Sequence, residues 1–387
     1  MLDRIKLSQD LARVARHLFP DLGDALEQAH KVWERIAQDP QFKERAAQAE
    51  ATFLVPTWKG DLNETFAISV QEEAAYTVVA VDGSQVYPDR HIAGAGCFLL
   101  NVGGVTLSYG ATSTASFFSQ PRVCVAQELE QISKHAGMSR DVVDALREKD
   151  ELAYSYIKAN EVVCNTGQTP VVLFDGTIIF WPLEGMQDEI RSYFITAYMD
   201  TLHKLYEQRI PCAGYISMPK SRELINLVKL GLCRFSVANC GPCTNIYSDF
   251  PCKQVESLID AALVKRFVEP GQRTTLFSSS SHIVKEYPEH LQPWFCYVRT
   301  QHEVIRLEMP AWVAHDQEAL DQVCAVALDQ CDKGHGYPVC LAEAHEQAVV
   351  KGPDRDFFYH LITRQALGEK KNVTHSQKSI KKRGIRV

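Results

Sequence analysis

No stretch of this sequence reaches the roughly 18 consecutive apolar residues that a membrane-spanning helix needs. No membrane association is therefore expected. The first residues, MLDRIKLSQDLARVARHLF, mix both charge signs in an amphipathic pattern, unlike a secretory leader, so the expected location is the cytoplasm. The phosphate-loop pattern G-x-x-x-x-G-K-[ST] is missing, and any ATP hydrolysis must come from a partner. There is no internal repeat at a solenoid period. Excess positive charge is lacking too: 41 Lys and Arg stand against 48 Asp and Glu, for a net charge of −7. That argues against a blanket electrostatic affinity for nucleic acid, though not against a local basic groove.

Cysteine, in contrast, is plentiful. Twelve are scattered over 387 residues. In a long chain without a leader they read as small buried thiols rather than a disulfide framework. One group stands apart: Cys233, Cys240, Cys243 and Cys252, including the pair CGPC. Four such thiolates could hold a structural Zn²⁺. The longer gaps are loose for paired knuckles, and plain loop or core thiols are the alternative. CGPC also has the spacing of a redox motif, without the strand-to-helix context.

Apolar periodicity divides the chain into three parts: an N-terminal helical arm over 1–74, a main domain over 75–368 and a basic tail over 369–387. Leu7, Leu11, Val14, Leu18 and then Leu22, Leu26, Trp33 and Ile36 recur at helical spacing in the arm. From Tyr76, TVVAVDGSQV, AGAGCFLLNVGG and VTLSYGA read as three strands, the last two joined at Gly103-Gly104. Arg122 to Asn160 reads as helical, with the stripe Val142, Leu146, Ala153, Ile157. Strands and helices then alternate through PVVLFDGTIIFW, CAGYISMP, SRELINLVKLGL, TTLFSSS, WFCYVRT and VIRLEMP. Strands first, then alternation, imply an α/β domain with a mixed sheet and flanking helices. The tail from Lys370 holds seven basic residues and no acid.

Two near-identical apolar runs, VVAVD and VVLFD, end in Asp82-Gly83-Ser84 and Asp175-Gly176-Thr177. An acid at the end of a buried strand is costly unless compensated. A hard divalent ion, Mg²⁺ or Mn²⁺, is the usual compensation where two such acids meet. A pair of such ions can activate water and stabilise the leaving oxygen of a phosphodiester. Asp-Gly is also an ordinary turn dipeptide, and either Asp could simply bond its own backbone. A three-strand meander with an acid on its first strand is how ribonuclease H-like nucleases begin.

The segments AVDGSQ, LFDGTI, YISMPKSRELINLV, EPGQRTTLF, YVRT with VIRLEMP, and YPVCLAEAHEQAVVKGPDRDFF follow in the order seen in NurA nucleases. Together they span about residues 76 to 362, and the chain resembles that family. The resemblance implies a ribonuclease H-like fold and a Mn²⁺-dependent DNA nuclease. It implies endonuclease action on single strands, 5′–3′ exonuclease action, and a homodimer. It also implies a HerA-type hexameric ATPase partner in DNA end processing, in repair or in phage defence. Carried over, it implies Asp82, Glu151, Asp175 and His345 as metal ligands, with Tyr337 also in the catalytic set. For the helix acid the residues themselves leave a choice: the stripe places Asp150 nearer the apolar face, and Glu148 and Glu161 are close by. His345 alone would read as a core histidine, and Lys220 and Arg222 as either phosphate contacts or a solvated helix start. Glu343 and Glu346 read as surface charges, Arg355 as structural. Two other functions compete with the nuclease: a non-catalytic DNA-binding or scaffolding subunit that loads the ATPase, and a ribonuclease acting on RNA.

Overall fold

The apolar, β-branched segments assemble into one large mixed sheet. A computed structural model describes residues 2–18, 21–70, 75–88, 92–93, 96–130, 132–133, 137–241, 243, 250–370 and 374–375. Most of the basic tail, including Lys371, Lys378, Lys381, Lys382, Arg383 and Arg386, lies outside the described residues.

The sheet has eleven strands: β1 (Thr57–Trp58), β2 (Thr65–Ala67), β3 (Tyr76–Val86), β4 (Cys97–Tyr109), β5 (Thr114–Val125), β6 (Val171–Asp175), β7 (Cys212–Ile216), β8 (Gln272–Thr274), β9 (Phe277–Ser278), β10 (Pro293–Arg299) and β11 (Val304–Pro310). The order along the sheet is β1-β9-β10-β11-β7-β6-β3-β4-β5, with β8 also paired to β10 and β2 to β8. β3, β6 and β7 run parallel, and every other pair is antiparallel. Val78 to Val81 of β3 and Val171 to Leu173 of β6 are fully or almost fully buried, as expected of central parallel strands covered on both faces.

The principal helices are α1 (Arg4–Leu18), α2 (Gly23–Ala37), α3 (Arg140–Thr166), α4 (Asp188–Glu207), α5 (Glu223–Leu232), α6 (Gln317–Lys333), α7 (Val339–Ala348) and α8 (Gly352–Gly368). Ser139 starts α3 by accepting the Val142 N–H, and Gly167 stops it in a left-handed conformation at φ 69°. In the arm, α2 buries Ala29, Val32, Trp33 and Ile36 in a second core shared with Leu224, Leu227 and Val228 of α5. β1 and β2 carry the arm's chain into the main sheet. α1 leaves Ile5, Leu7, Leu11 and Leu18 exposed.

The meander departs from the sequence reading. Gly103-Gly104 is not a turn. It sits inside the 13-residue strand β4, and the third strand is β5, within a stretch that the periodicity assigns partly to helix. Close packing explains both glycines. A Cβ on Gly103 would lie 2.3 Å from the backbone of Gln347, and one on Gly104 would lie 2.5 Å from the Ala80 carbonyl. α3 starts at Arg140, and its buried face runs through Leu152, Ser155 and Ala159, while Ile157 of the expected stripe is 42% exposed.

Candidate active site

Parallel pairing places the two aspartates together. The last β3–β6 pair is Val81 with Phe174, so Asp82 and Asp175 follow at the same level on adjacent strands. Asp175 ends its strand, and Gly176 makes the turn at φ 104°, a conformation that favours glycine. Asp82 does not end its strand: β3 continues to Val86, because β4 keeps pairing with it as far as Val86–Leu99. Beyond Val81 the β6 side of β3 is therefore open, and side chains from both faces of the sheet can reach this edge.

From one face comes Glu151 on α3. It lies against Gly83, where an added Cβ would stand 2.4 Å from its Oε1. Arg147, one turn earlier, pairs with Glu151 and lies 3.6 Å from Glu148. The Glu151 side chain is only 18% exposed. Burial raises its carboxyl to about 8. Arg147 opposes the rise, and the charges of Asp82 and Glu148 add to it. Asp150, which the helical stripe favours, turns away to Arg122 of β5 at 2.6 Å. Glu161 pairs with Lys158 at the surface.

From the other face comes α7. Its C-terminal end is tied to the meander by Asn101 Nδ2 and Ser84 Oγ, which both donate to the Ala348 carbonyl, at 2.8 and 2.5 Å. The Val350 N–H donates back to Ser84 Oγ at 3.1 Å. Gly103 lets this backbone approach the strand so closely. The result is that His345 Nδ1 stands 2.8 Å from Asp82 Oδ2, with Asp82 17% and His345 59% exposed. Tyr337, just before Pro338 at the start of α7, donates its hydroxyl to Asp175 and packs edge-on against Tyr215 of β7 at 5.6 Å. Burial raises the Asp175 carboxyl from its ordinary value. The Tyr337 hydrogen bond opposes this, Asp82 reinforces it, and His345 opposes it. Burial and the Asp175 charge raise the Tyr337 phenol far above its ordinary value.

Asp82, Glu151, Asp175, Tyr337 and His345 thus meet at one sheet edge. Glu343 and Glu346 do not join them, and Glu346 pairs with Lys351 at 3.2 Å. Arg355 lies over the Tyr359 ring. Lys220 and Arg222 line a cavity at the end of β7 that Thr177 and Glu308, at the turn after Asp175, also line. Sequence reasoning passed over Arg147, although its i,i+4 spacing from Glu151 on a helix is a readable signal. It also passed over Glu308. That buried carboxylate accepts from Thr177 Oγ1 at 2.5 Å and from the Ile178 N–H at 3.1 Å, which fixes the turn after Asp175. Arg306 pairs with Glu308 and with Glu223, so the fixing carboxylate is itself held.

Among the described residues no three His, Cys, Asp or Glu side chains are arranged to hold a metal ion. For Cys233, Cys240, Cys243 and Cys252 this removes support for the single Zn²⁺ considered from sequence. At the carboxylates, Glu151 is engaged by Arg147 and Asp175 by Tyr337. The donors are nonetheless oxygen-rich. Asp82 repels both Glu151 and Asp175 in a largely buried place, and these two bind protons more tightly than usual. That is the chemistry a hard divalent cation relieves.

A family model of the NurA domain matches residues 76–350, a span that contains all five of these residues. No curated protein matches the chain. Among solved structures, the NurA nuclease from Sulfolobus solfataricus aligns over 95% of this chain and 98% of its own, at 14% identity and a TM-score of 0.48. With the family model covering more than half of its length, the chain belongs to the NurA domain family.

Proposed function

We propose that this chain is a Mn²⁺- or Mg²⁺-dependent DNA nuclease that hydrolyses phosphodiester bonds at the edge where Asp82 and Asp175 meet. The observation that carries the reading is the company these acids keep: Glu151, His345 and Tyr337 reach the same edge from helices on both faces. A binding scaffold has no use for an acid that repels two others beside a histidine. Membership in the NurA family supports the same reading. The strand order β5-β4-β3-β6-β7, an antiparallel meander followed by two parallel strands, supports a ribonuclease H-like core.

In this mechanism Asp82, Glu151 and Asp175 would hold the cation, in place of the present Arg147–Glu151 and Tyr337–Asp175 contacts. A pair of ions bound there would supply charge neutralisation at the phosphate and a more acidic water. The chain's own groups do the rest. Asp82 orients His345 through Nδ1, which leaves one nitrogen, Nε2, to serve either as a further donor to the ion or as the acceptor for a proton of the attacking water. The Tyr337 hydroxyl, aimed at the same edge, donates to a phosphate oxygen, and its ring offers a face to a base. Thr177, Glu308 and Arg306 keep the Asp175 turn in place.

The family resemblance further suggests single-stranded endonuclease and 5′–3′ exonuclease action, a homodimer, and a HerA-type hexameric ATPase as partner in DNA end processing. The exposed apolar residues of α1 supply a surface for a second copy or that ATPase. A gel assay on end-labelled single-stranded DNA, double-stranded DNA and matched RNA, with Mn²⁺, Mg²⁺ or EDTA, tests the reading. Metal-dependent cutting of DNA is expected. Cutting of RNA alone, or of nothing, contradicts it.

A further inference from the structure

Away from the carboxylate edge, the fold gathers a second set of side chains that catalysis leaves unused. Cys233 directly follows α5, Cys240 and Cys243 lie in the segment after it, and Cys252 is in the single turn Pro251–Val255. All four line one cavity of 150 Å³. None is in a disulfide. Burial raises the Cys240 and Cys252 thiols, and the nearness of other members of the set adds to the rise.

What these four residues share is the lining of a cavity. A tetrahedral zinc holds its sulfurs about 2.3 Å from one centre, and no three ligating groups among the described residues are arranged for that. A cubane iron–sulfur cluster asks for something different. Each thiolate binds its own iron at a separate corner, so the sulfurs line a cavity instead of converging.

The rest of the lining suits such an occupant. Phe53, Phe235 and Phe250 give an apolar wall that keeps water from the cluster. Lys229, Arg234 and Lys253 line the same cavity, against one acid, Glu256. A dicationic [4Fe–4S] core with four thiolates is a dianion, and these cations offset it.

We propose that Cys233, Cys240, Cys243 and Cys252 bind a [4Fe–4S] cluster. Loading is ligand exchange from a thiolate-ligated cluster carrier. Four S–H bonds break and release four protons to solvent, four iron–thiolate bonds form, and the carrier's ligands leave, with no change in oxidation state. The cluster then pins the 233–252 segment to the end of α5 and to the strand-like stretch at Glu50, whose carbonyl accepts the Cys240 N–H at 2.9 Å. This inference does not rest on the nuclease reading, and its test uses no DNA.

The full chain is purified without exposure to oxygen, and its iron, acid-labile sulfide and zinc are measured together with its visible spectrum. About four irons and four sulfides per chain are expected, with the broad visible absorbance of iron–thiolate charge transfer. Cys240→Ser and Cys252→Ser should each lose most of the iron. Cys164→Ser, at an exposed position on α3, should keep it. The wild-type stoichiometry stands even where a variant folds poorly. One zinc per chain, a disulfide among these four, or a metal-free wild type would overturn the proposal.

Discussion

His345 Nδ1 and Asp82 Oδ2 lie 2.8 Å apart although 263 residues separate them in the chain. What joins them is a seam in which Asn101 and Ser84 grip the end of α7 across the gap that Gly103 leaves. The contact gives the imidazole a fixed direction at an otherwise open edge.

His345 and Tyr337 should therefore fail differently. His345→Ala is expected to slow single-turnover cleavage by about 10²- to 10⁴-fold with DNA affinity in Ca²⁺ unchanged. Tyr337→Ala should weaken DNA binding by about 1–3 kcal/mol if the ring stacks on a base, and Tyr337→Phe should keep that part. Wild-type cleavage by His345→Ala would return His345 to a purely structural role.

Glu151 and Asp150 are neighbours on α3 with different surroundings. Glu151 sits under Gly83, and Asp150 is spent on Arg122. Glu151→Ala should lose cleavage as completely as a change at Asp82, and Asp150→Ala should keep most of it. An inactive Asp150 variant beside an active Glu151 variant in the same gel assay would show that the wrong acid has been chosen.

Gly83 and Gly103 separate activity from stability. An added Cβ at Gly83 would meet side chains of α3, the end of Glu151 and Arg147 Cγ at 2.7 Å, which can shift along the helix surface. At Gly103 it would meet the backbone of Gln347 and Ala348, which is held by hydrogen bonds. Gly83→Ala should lose cleavage with only a small change in melting temperature. Gly103→Ala should cost about 1–3 kcal/mol of stability through overpacking. Thermal melts and cleavage rates of the two variants check both. Equal effects on both readouts would mean the seam is looser than described.

Much of this arrangement was legible in the sequence, and the misses have physical causes. VVAVD and VVLFD were legible as buried strands, because strands covered on both faces are apolar along their whole length; that they are parallel neighbours came from the fold. Gly103-Gly104 read as a turn because a sequence cannot say whether a glycine serves a bend or a close approach. Here Gly103 serves the approach of α7 and Gly104 that of the Ala80 carbonyl. The stripe Val142, Leu146, Ala153, Ile157 pointed at Asp150 because periodicity assumes one buried face along the helix. α3 instead runs for 27 residues past changing neighbours, and its buried face shifts to Leu152, Ser155 and Ala159. Arg306 and Glu308 were unreadable as partners of the Asp175 turn, since nothing local in VIRLEMP shows that it pairs with β7.

Asp260 sets a stability profile with pH. It is fully buried, accepts from the Ile225 N–H at 2.9 Å and from the Tyr297 hydroxyl at 2.7 Å, and burial raises its carboxyl from 3.8 to about 6. A raised folded value means that the protonated form favours folding. The contribution is full below 3.8 and is lost as pH rises through about 6. Asp260→Asn keeps an acceptor for Ile225 and should flatten the change in denaturant midpoint across that window. An unchanged slope would assign the pH dependence elsewhere.

The central claim is that Asp82 and Asp175 form the metal-dependent centre of a nuclease. Purified wild type, Asp82→Ala and Asp175→Ala should be compared on end-labelled single-stranded DNA, with Mn²⁺ and with EDTA, alongside their melting temperatures without metal. Wild type should cut only with the ion. Both variants should fail to cut while melting at or above the wild-type temperature, because each relieves repulsion between acids. Cleavage by either variant at the wild-type rate in Mn²⁺ would contradict the account.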